Sequence, residues 1–93
     1  MMVYFVLIYD VVDDFASKRT PFREEHLRLV REAHERGDIV MAGALGDPIK
    51  HALIVFRPDG QSAAEAFATA DPYVTNGIVT KWEVLPWNVV VGP

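Results

Sequence analysis

The segment Thr20-Pro21-Phe22-Arg23-Glu24-Glu25-His26-Leu27-Arg28-Leu29-Val30-Arg31-Glu32-Ala33-His34-Glu35-Arg36-Gly37 decides how the chain folds. Helix residues advance by about 100° each, so with His26 at zero the side chains of Ala33, Phe22, Val30 and Leu29 fall within about 60° of it. These four form an apolar stripe that must lie on a core. The ends are marked. Thr20 is placed to cap, Pro21 to take the first helical position, where its missing N–H costs nothing, and Gly37 to close the helix in the left-handed conformation. His26 stands at the centre of the stripe, where an imidazole without a hydrogen-bond partner costs about 1–3 kcal/mol.

What the stripe lies on is written on either side. Upstream, Val3-Tyr4-Phe5-Val6-Leu7-Ile8-Tyr9 is β-branched and aromatic at odd and even positions alike, the pattern of a central strand covered on both faces. Asp10 closes it and a polar loop, Asp13–Arg19, leads to the helix. Downstream, Ile39–Ala42 starts a second strand that runs into Gly43–Pro48, read as a loop or bulge and turn. Ala52–Phe56 is a third strand, again apolar on both faces, and Arg57–Gly60 a turn. Ser62-Ala63-Ala64-Glu65 reads as a capping box for a second, alanine-rich helix ending near Ala70. Asp71-Pro72 ends that helix and starts another turn, with Asp71 as N-cap and Gly77 closing it. The last strand runs from Ile78 to Leu85 and stops at Pro86, leaving Trp87–Val91 as an apolar tail.

The order β-α-β-β-α-β predicts a ferredoxin-like α+β sandwich over a single domain, residues 1–93, with one antiparallel four-stranded sheet and both helices on one face. Two helices leave the other face bare, although the first and third strands are apolar there too. Pairing of two sheets face to face in a homodimer, helped by Val89–Val91, resolves this. Composition agrees: 51% of the 93 residues are hydrophobic, an excess for so small a domain that asks for a second apolar surface to be covered.

Composition also narrows the function. A net charge of −4 argues against nucleic acid, whose phosphates need clustered Lys and Arg. The absence of cysteine removes disulfides, thiol catalysis and Cys-based zinc sites. No apolar run is long enough to span a bilayer, and Val3–Tyr9 lacks the basic flank and cleavage site of a signal peptide, so a cytoplasmic protein is expected. No phosphate-binding loop, dinucleotide fingerprint or nucleophile elbow is present, and neither a metal nor a cofactor is expected.

His26 and Asp71 are the candidates for chemistry. Helices on one sheet face bring the end of the second towards the stripe of the first. A carboxylate on one ring nitrogen then fixes the tautomer and leaves the other nitrogen as a general base. Taken singly, each has a plainer reading, His26 as a core histidine and Asp71 as a cap worth about 1 kcal/mol. Arg19 and Arg23, the latter about 60° from His26 on the wheel, are candidates to hold an anion or a developing oxyanion; alone, each reads as a solvated surface arginine. Tyr73 either lends its hydroxyl or packs, and Gly43 either admits a ligand close to the second strand or marks a bulge. His34 and His51 lack metal-ligand spacing and read as surface residues.

Arg19, Arg23-Glu24-Glu25-His26-Leu27, Ala42-Gly43, Ser62–Ala66, Asp71-Pro72-Tyr73, Gly77-Ile78 and Pro86-Trp87 together resemble the YCII family, in the right order over nearly the whole chain. R-x-x-H-L and D-P-Y are the most specific parts. The resemblance implies a dimeric α+β barrel and an active-site His–Asp pair, which falls on His26 and Asp71. Some members of the family are placed among enzymes of aromatic or chloroaromatic breakdown. The long polar loop Val11–Lys18 departs from the family pattern, at the mouth of the expected pocket. The expectation is a cofactor-independent enzyme doing elimination, isomerisation or hydrolysis on a small anionic or cyclic oxygenated substrate. The alternative is a dimeric small-molecule-binding or regulatory module whose His–Asp pair is structural.

Overall fold

Strand β1 (Met2–Val11) runs through the middle of the sheet in a computed structural model that describes residues 2–93. It is followed by a short helix α1 (Phe15–Lys18), a 3-10 turn (Thr20–Phe22) and helix α2 (Arg23–Glu35). Then come β2 (Ile39–Leu45), β3 (His51–Phe56), α3 (Gln61–Ala70), α4 (Pro72–Thr75) and β4 (Val79–Val89). The four strands are ordered β2-β3-β1-β4 and every neighbouring pair is antiparallel, which is the ferredoxin-like α+β topology. β1 pairs with β3 on one side and β4 on the other, the central place that its two-faced apolar pattern predicts.

Pleating divides the sheet residues between two faces. Leu7 and Tyr9 of β1, opposite Ile54 and Ala52 of β3, point to the helices. Leu7, Tyr9 and Phe56 are completely buried there, packed with Ala33 of α2, Ala64, Phe67 and Ala68 of α3 and Tyr73 of α4. Val6, Ile8, Leu53 and Val55 point the other way, to a face that no helix covers. On that face Met41, Leu45, Leu85 and Trp87 are 60, 50, 44 and 48% exposed. The last residues reach across part of it, where the Tyr4 hydroxyl donates to the Pro93 carbonyl at 3.4 Å.

Several local expectations change. Thr20 makes no side-chain cap, because the residues from Thr20 to Phe22 wind as a 3-10 turn and α2 starts only at Arg23. The far end behaves as read: Gly37 has φ +86°, with Gly37 and Asp38 N–H donating to the His34 and Ala33 carbonyls, a Schellman closure. The polar loop after Asp13 contains α1, entered through Asp14 at φ 59°, and it drives Phe15 into the core at 3% exposure.

Gly43 is neither bulge nor loop. It lies within β2 opposite Leu53, and the irregularity falls between Ile39 and Met41. The Ser62 capping box is not formed either. Helix α3 begins at Gln61 with Gly60 as N-cap, a position where an added Cβ would stand 2.7 Å from the Arg57 carbonyl. Pro86 does not end the last strand. It pairs with Phe5 inside β4, an edge strand with β1 on one side only, where a missing N–H is tolerated. Trp87 to Val89 therefore extend the sheet instead of forming a tail.

Candidate active site around His26 and Asp71

Asp71 ends α3 and caps α4, and this double duty places its carboxylate. Its extended backbone (φ −69°, ψ 125°) breaks the helix before Pro72, and the Tyr73 N–H donates to Asp71 Oδ1 at 3.0 Å. The side chain is 0% exposed, yet it does not lack donors. His26 Nδ1 lies 3.0 Å from Oδ1 and 2.9 Å from Oδ2, and the Tyr9 hydroxyl donates to Oδ2 at 2.8 Å. An ionised carboxylate only accepts, so beside one the Nδ1 of His26 is the donor, and in a neutral ring the lone pair is then on Nε2. The stripe of α2 has thus turned the imidazole inward, and the start of α4 meets it.

Tyr73 holds the other side of the ring. Its phenol stacks on the imidazole with centroids 3.9 Å apart and planes 11° from parallel. Phe15 in turn meets Tyr73 edge-on at 5.4 Å. Burial pushes the Tyr73 phenol above its ordinary pKa; Arg19 and Arg23 pull the other way, and the Asp71 charge adds to the push. Tyr9 is pushed up much further, by burial first and then by the charge and hydrogen bond of Asp71. Both phenols remain protonated at any ordinary pH.

His26 borders a cavity of about 380 Å³ between α2 and the β2–β3 end of the sheet. Its polar wall is Arg19, Arg23, His26 and Tyr73, and its sheet wall is Ala42, Gly43, Ala44 and Ala52. Arg19 lies with its guanidinium carbon 5.5 Å from the Phe15 ring centre, and its Nε is buried with no hydrogen-bond partner. A cationic donor left unsatisfied beside a cavity is an invitation to an anionic acceptor. Among the described residues no three His, Asp, Glu or Cys side chains converge as metal ligands would, and no helix is long and apolar enough to cross a membrane.

Five of the six singled-out residues, all but Asp71, line this one cavity, and Asp71 lies behind His26 rather than on the wall. Gly43 does so by its backbone. Alternation along β2 places Ala42 and Ala44 on the helix side and Gly43 with Met41 and Leu45 on the bare side. An added Cβ at Gly43 would meet nothing within 4 Å. The missing side chain therefore opens the bare face, not the cavity beside His26.

The sequence pattern of the YCII-related domain matches residues 2–88. The chain belongs to the YCII family. It is 29% identical over 98 aligned positions to the curated Protein YciI of Escherichia coli O6:H1, covering 96% of this chain and 99% of that protein. Protein YciI of Shigella flexneri matches equally well. Among solved structures the fold is similar to 5-chloro-2-hydroxyhydroquinone dehydrochlorinase (TftG) from Burkholderia phenoliruptrix AC1100, in complex with 2,5-dihydroxybenzoquinone. The TM-score is 0.72 at 14% identity, over 91% of this chain and 93% of that one. At that identity the similarity establishes the shared fold.

Two residues of this candidate site escape a reading of the sequence. Tyr9 looks like one more apolar strand position, and only the alternation of β1 marks it as facing the helices. Phe15 is hidden in a run of polar neighbours, and its lone aromatic ring is the only signal there. Residue spacing does not reveal a second His–Asp pair either: His51 Nδ1 lies 3.0 Å from Asp10 Oδ1 on the bare sheet face, both side chains 44% exposed. His34 Nδ1 lies 2.9 Å from the Ile39 carbonyl and ties α2 to β2.

Proposed function

We propose that this protein is a small acid–base enzyme in which His26 Nε2 takes a proton from, or returns one to, a bound substrate. Asp71 orients the imidazole, and the Arg19 and Arg23 guanidiniums hold the substrate's negative charge. One observation carries the reading: the nitrogen of His26 that Asp71 does not use belongs to a ring bordering a cavity lined by Arg19, Arg23 and Tyr73 and by otherwise apolar residues. That arrangement suits a small anion with an apolar body, such as an oxygenated ring whose hydroxyl or carbonyl becomes an oxyanion as the proton moves. Elimination and isomerisation begin with a proton leaving the substrate in this way, and hydrolysis with one leaving an attacking water as the carbonyl becomes the oxyanion. The dehydrochlorinase that shares the fold supports this substrate class, its named substrate and bound ligand both being oxygenated rings.

The test is proton exchange. Small hydroxylated ring compounds and carboxylic acids are incubated with the protein in D2O and followed by NMR for deuterium uptake or turnover. Exchange that His26→Gln abolishes while ligand binding persists supports the enzyme. Binding without exchange in either protein favours the second reading, a ligand-binding or regulatory module. The observation behind that alternative is that Asp71 is already a fully buried helix cap, a sufficient structural reason for it to be there.

We also infer a homodimer joined through the bare sheet face. Exposed Met41, Leu45, Leu85 and Trp87 make that face a poor surface for an isolated monomer, and a second copy offers a matching apolar face.

A further inference from the structure

Resting on the acid–base reading above, we propose that Tyr9 is a positioning residue that decides which nitrogen of His26 faces the cavity with a free lone pair. The Asp71 carboxylate is completely buried, and it meets polar groups from three elements: the Tyr9 hydroxyl from β1, the His26 imidazole from α2 and the Tyr73 N–H from α4. The guanidiniums of Arg19 and Arg23 act on Tyr73 from the cavity side and make no hydrogen bond to Asp71. The two oxygens are divided between fixed donors. Oδ1 takes the Tyr73 N–H and Oδ2 takes the Tyr9 hydroxyl, so the His26 Nδ1 proton is shared between them at 3.0 and 2.9 Å.

Two proton arrangements compete at such a pair. In one, Asp71 is an anion, His26 carries its proton on Nδ1, and Nε2 is a base. In the other, the pair has taken up one more proton from water; whether Asp71 is then an acid donating to Nδ1 with the ring proton on Nε2, or a carboxylate beside an imidazolium, Nε2 is protonated and has no lone pair to offer, so the balance between the two depends on pH. A buried carboxylate keeps its charge only when enough donors surround it. Tyr9 is the one donor among the three that is neither part of the catalytic ring nor a backbone group set by the helix cap. Its hydroxyl is sealed in the core, and burial beside Asp71 keeps it protonated, so it donates at every working pH and does not relay protons. Packing alone does not require it, since phenylalanine has the same ring. The hydroxyl is there for Oδ2.

The experiment compares 15N-histidine-labelled wild type, Tyr9→Phe and Asp71→Asn by the ring-nitrogen shifts of His26, with the amide spectrum as a check on the fold. Wild type is expected to show a protonated Nδ1 and an unprotonated Nε2. Followed over a pH series, Tyr9→Phe is expected to keep the amide pattern while the ratio of free to protonated Nε2 at a given pH falls roughly tenfold or more, the factor one hydrogen bond to a charged acceptor supplies. If Tyr9→Phe leaves the His26 nitrogens as in wild type while Asp71→Asn changes them, the role given to Tyr9 is wrong and the His–Asp reading stands. If Asp71→Asn leaves them unchanged too, the pair itself does not set the ring, and both readings fall. Should Tyr9→Phe not fold, 3-fluorotyrosine at position 9 alone keeps the packing and strengthens the donor. A movement of the His26 nitrogens towards more free Nε2 then supports the proposal, and no movement overturns it.

Discussion

Replacing Asp71 by asparagine and by alanine separates what its charge does from what its shape does. Asparagine keeps one oxygen to accept the Tyr73 N–H, so the cap of α4 survives. Its amide then faces Tyr9 and His26 as a donor. Tyr9 can accept as well as donate, and His26 can move its proton to Nε2 so that Nδ1 accepts. Every buried group is then paired except the Tyr9 O–H proton, which gives up its acceptor. The lost charge assistance is partly offset by no longer burying an ion, and the expected cost is about 1–2 kcal/mol.

Alanine offers no such exit. It strips three donors at once, the Tyr9 hydroxyl, the His26 Nδ1–H and the Tyr73 N–H, each costing about 1–3 kcal/mol when left buried and unpaired. A loss of roughly 4–7 kcal/mol takes away much of the 5–15 kcal/mol typical of a whole domain. At roughly 4–8 °C per kcal/mol for a domain of this size, Asp71→Asn melts about 5–15 °C below wild type. Asp71→Ala melts more than about 20 °C below it or shows no cooperative transition. Thermal and urea unfolding followed by circular dichroism give both values. Activity ranks the variants differently, because the asparagine protein is folded with the wrong tautomer and is expected to lose a factor on the order of ten thousand in rate. Equal stability of the two variants, or an asparagine variant with wild-type rate, would refute the reasoning.

Phe15→Ala removes a buried ring and its edge contact with Tyr73, so unfolding should show a loss of about 3 kcal/mol, while a change under about 1 kcal/mol would mean that α1 does not anchor to the core. Leu85→Glu and Trp87→Lys put charges on the bare sheet face, and each should convert the proposed dimer to monomer in sedimentation velocity with its circular dichroism spectrum unchanged. Burial pushes Asp38 up, but hydrogen bonds from Arg36 and Arg57 outweigh it and hold the carboxyl below its ordinary value. A depressed folded-state pKa stabilises above the unfolded value and is lost as pH falls through the folded one, so this contribution fades below about pH 4. Stability curves of wild type and Asp38→Asn should therefore converge towards acid, and a constant gap down to pH 2 would show that the two arginines do nothing for stability.

The order of elements and the facing of His26 were legible in the chain because both follow from short-range periodicity. A period near 3.6 put His26 on the stripe of α2, two-faced apolar strands put β1 in the middle of the sheet, and Asp-Pro marked the cap that carries Asp71. Those features arise within a few residues of one another, and local sterics suffice to read them. Element boundaries were less legible. Whether Thr20 or Phe22 precedes α2, whether Ser62 or Gly60 caps α3, and whether Pro86 ends β4 depend on what packs or pairs alongside.

Only the tertiary structure decided that Tyr9, 62 residues away in sequence, donates to Asp71, that Tyr73 lies flat on the imidazole, and that Phe15 leaves its polar neighbours for the core. It likewise sent the open side of Gly43 away from His26. The physical reason is the same in each case. A hydrogen bond or a ring stack between distant segments depends on strand order, register and the angle at which a helix crosses a sheet, none of which leaves a mark in the spacing of residues along the chain.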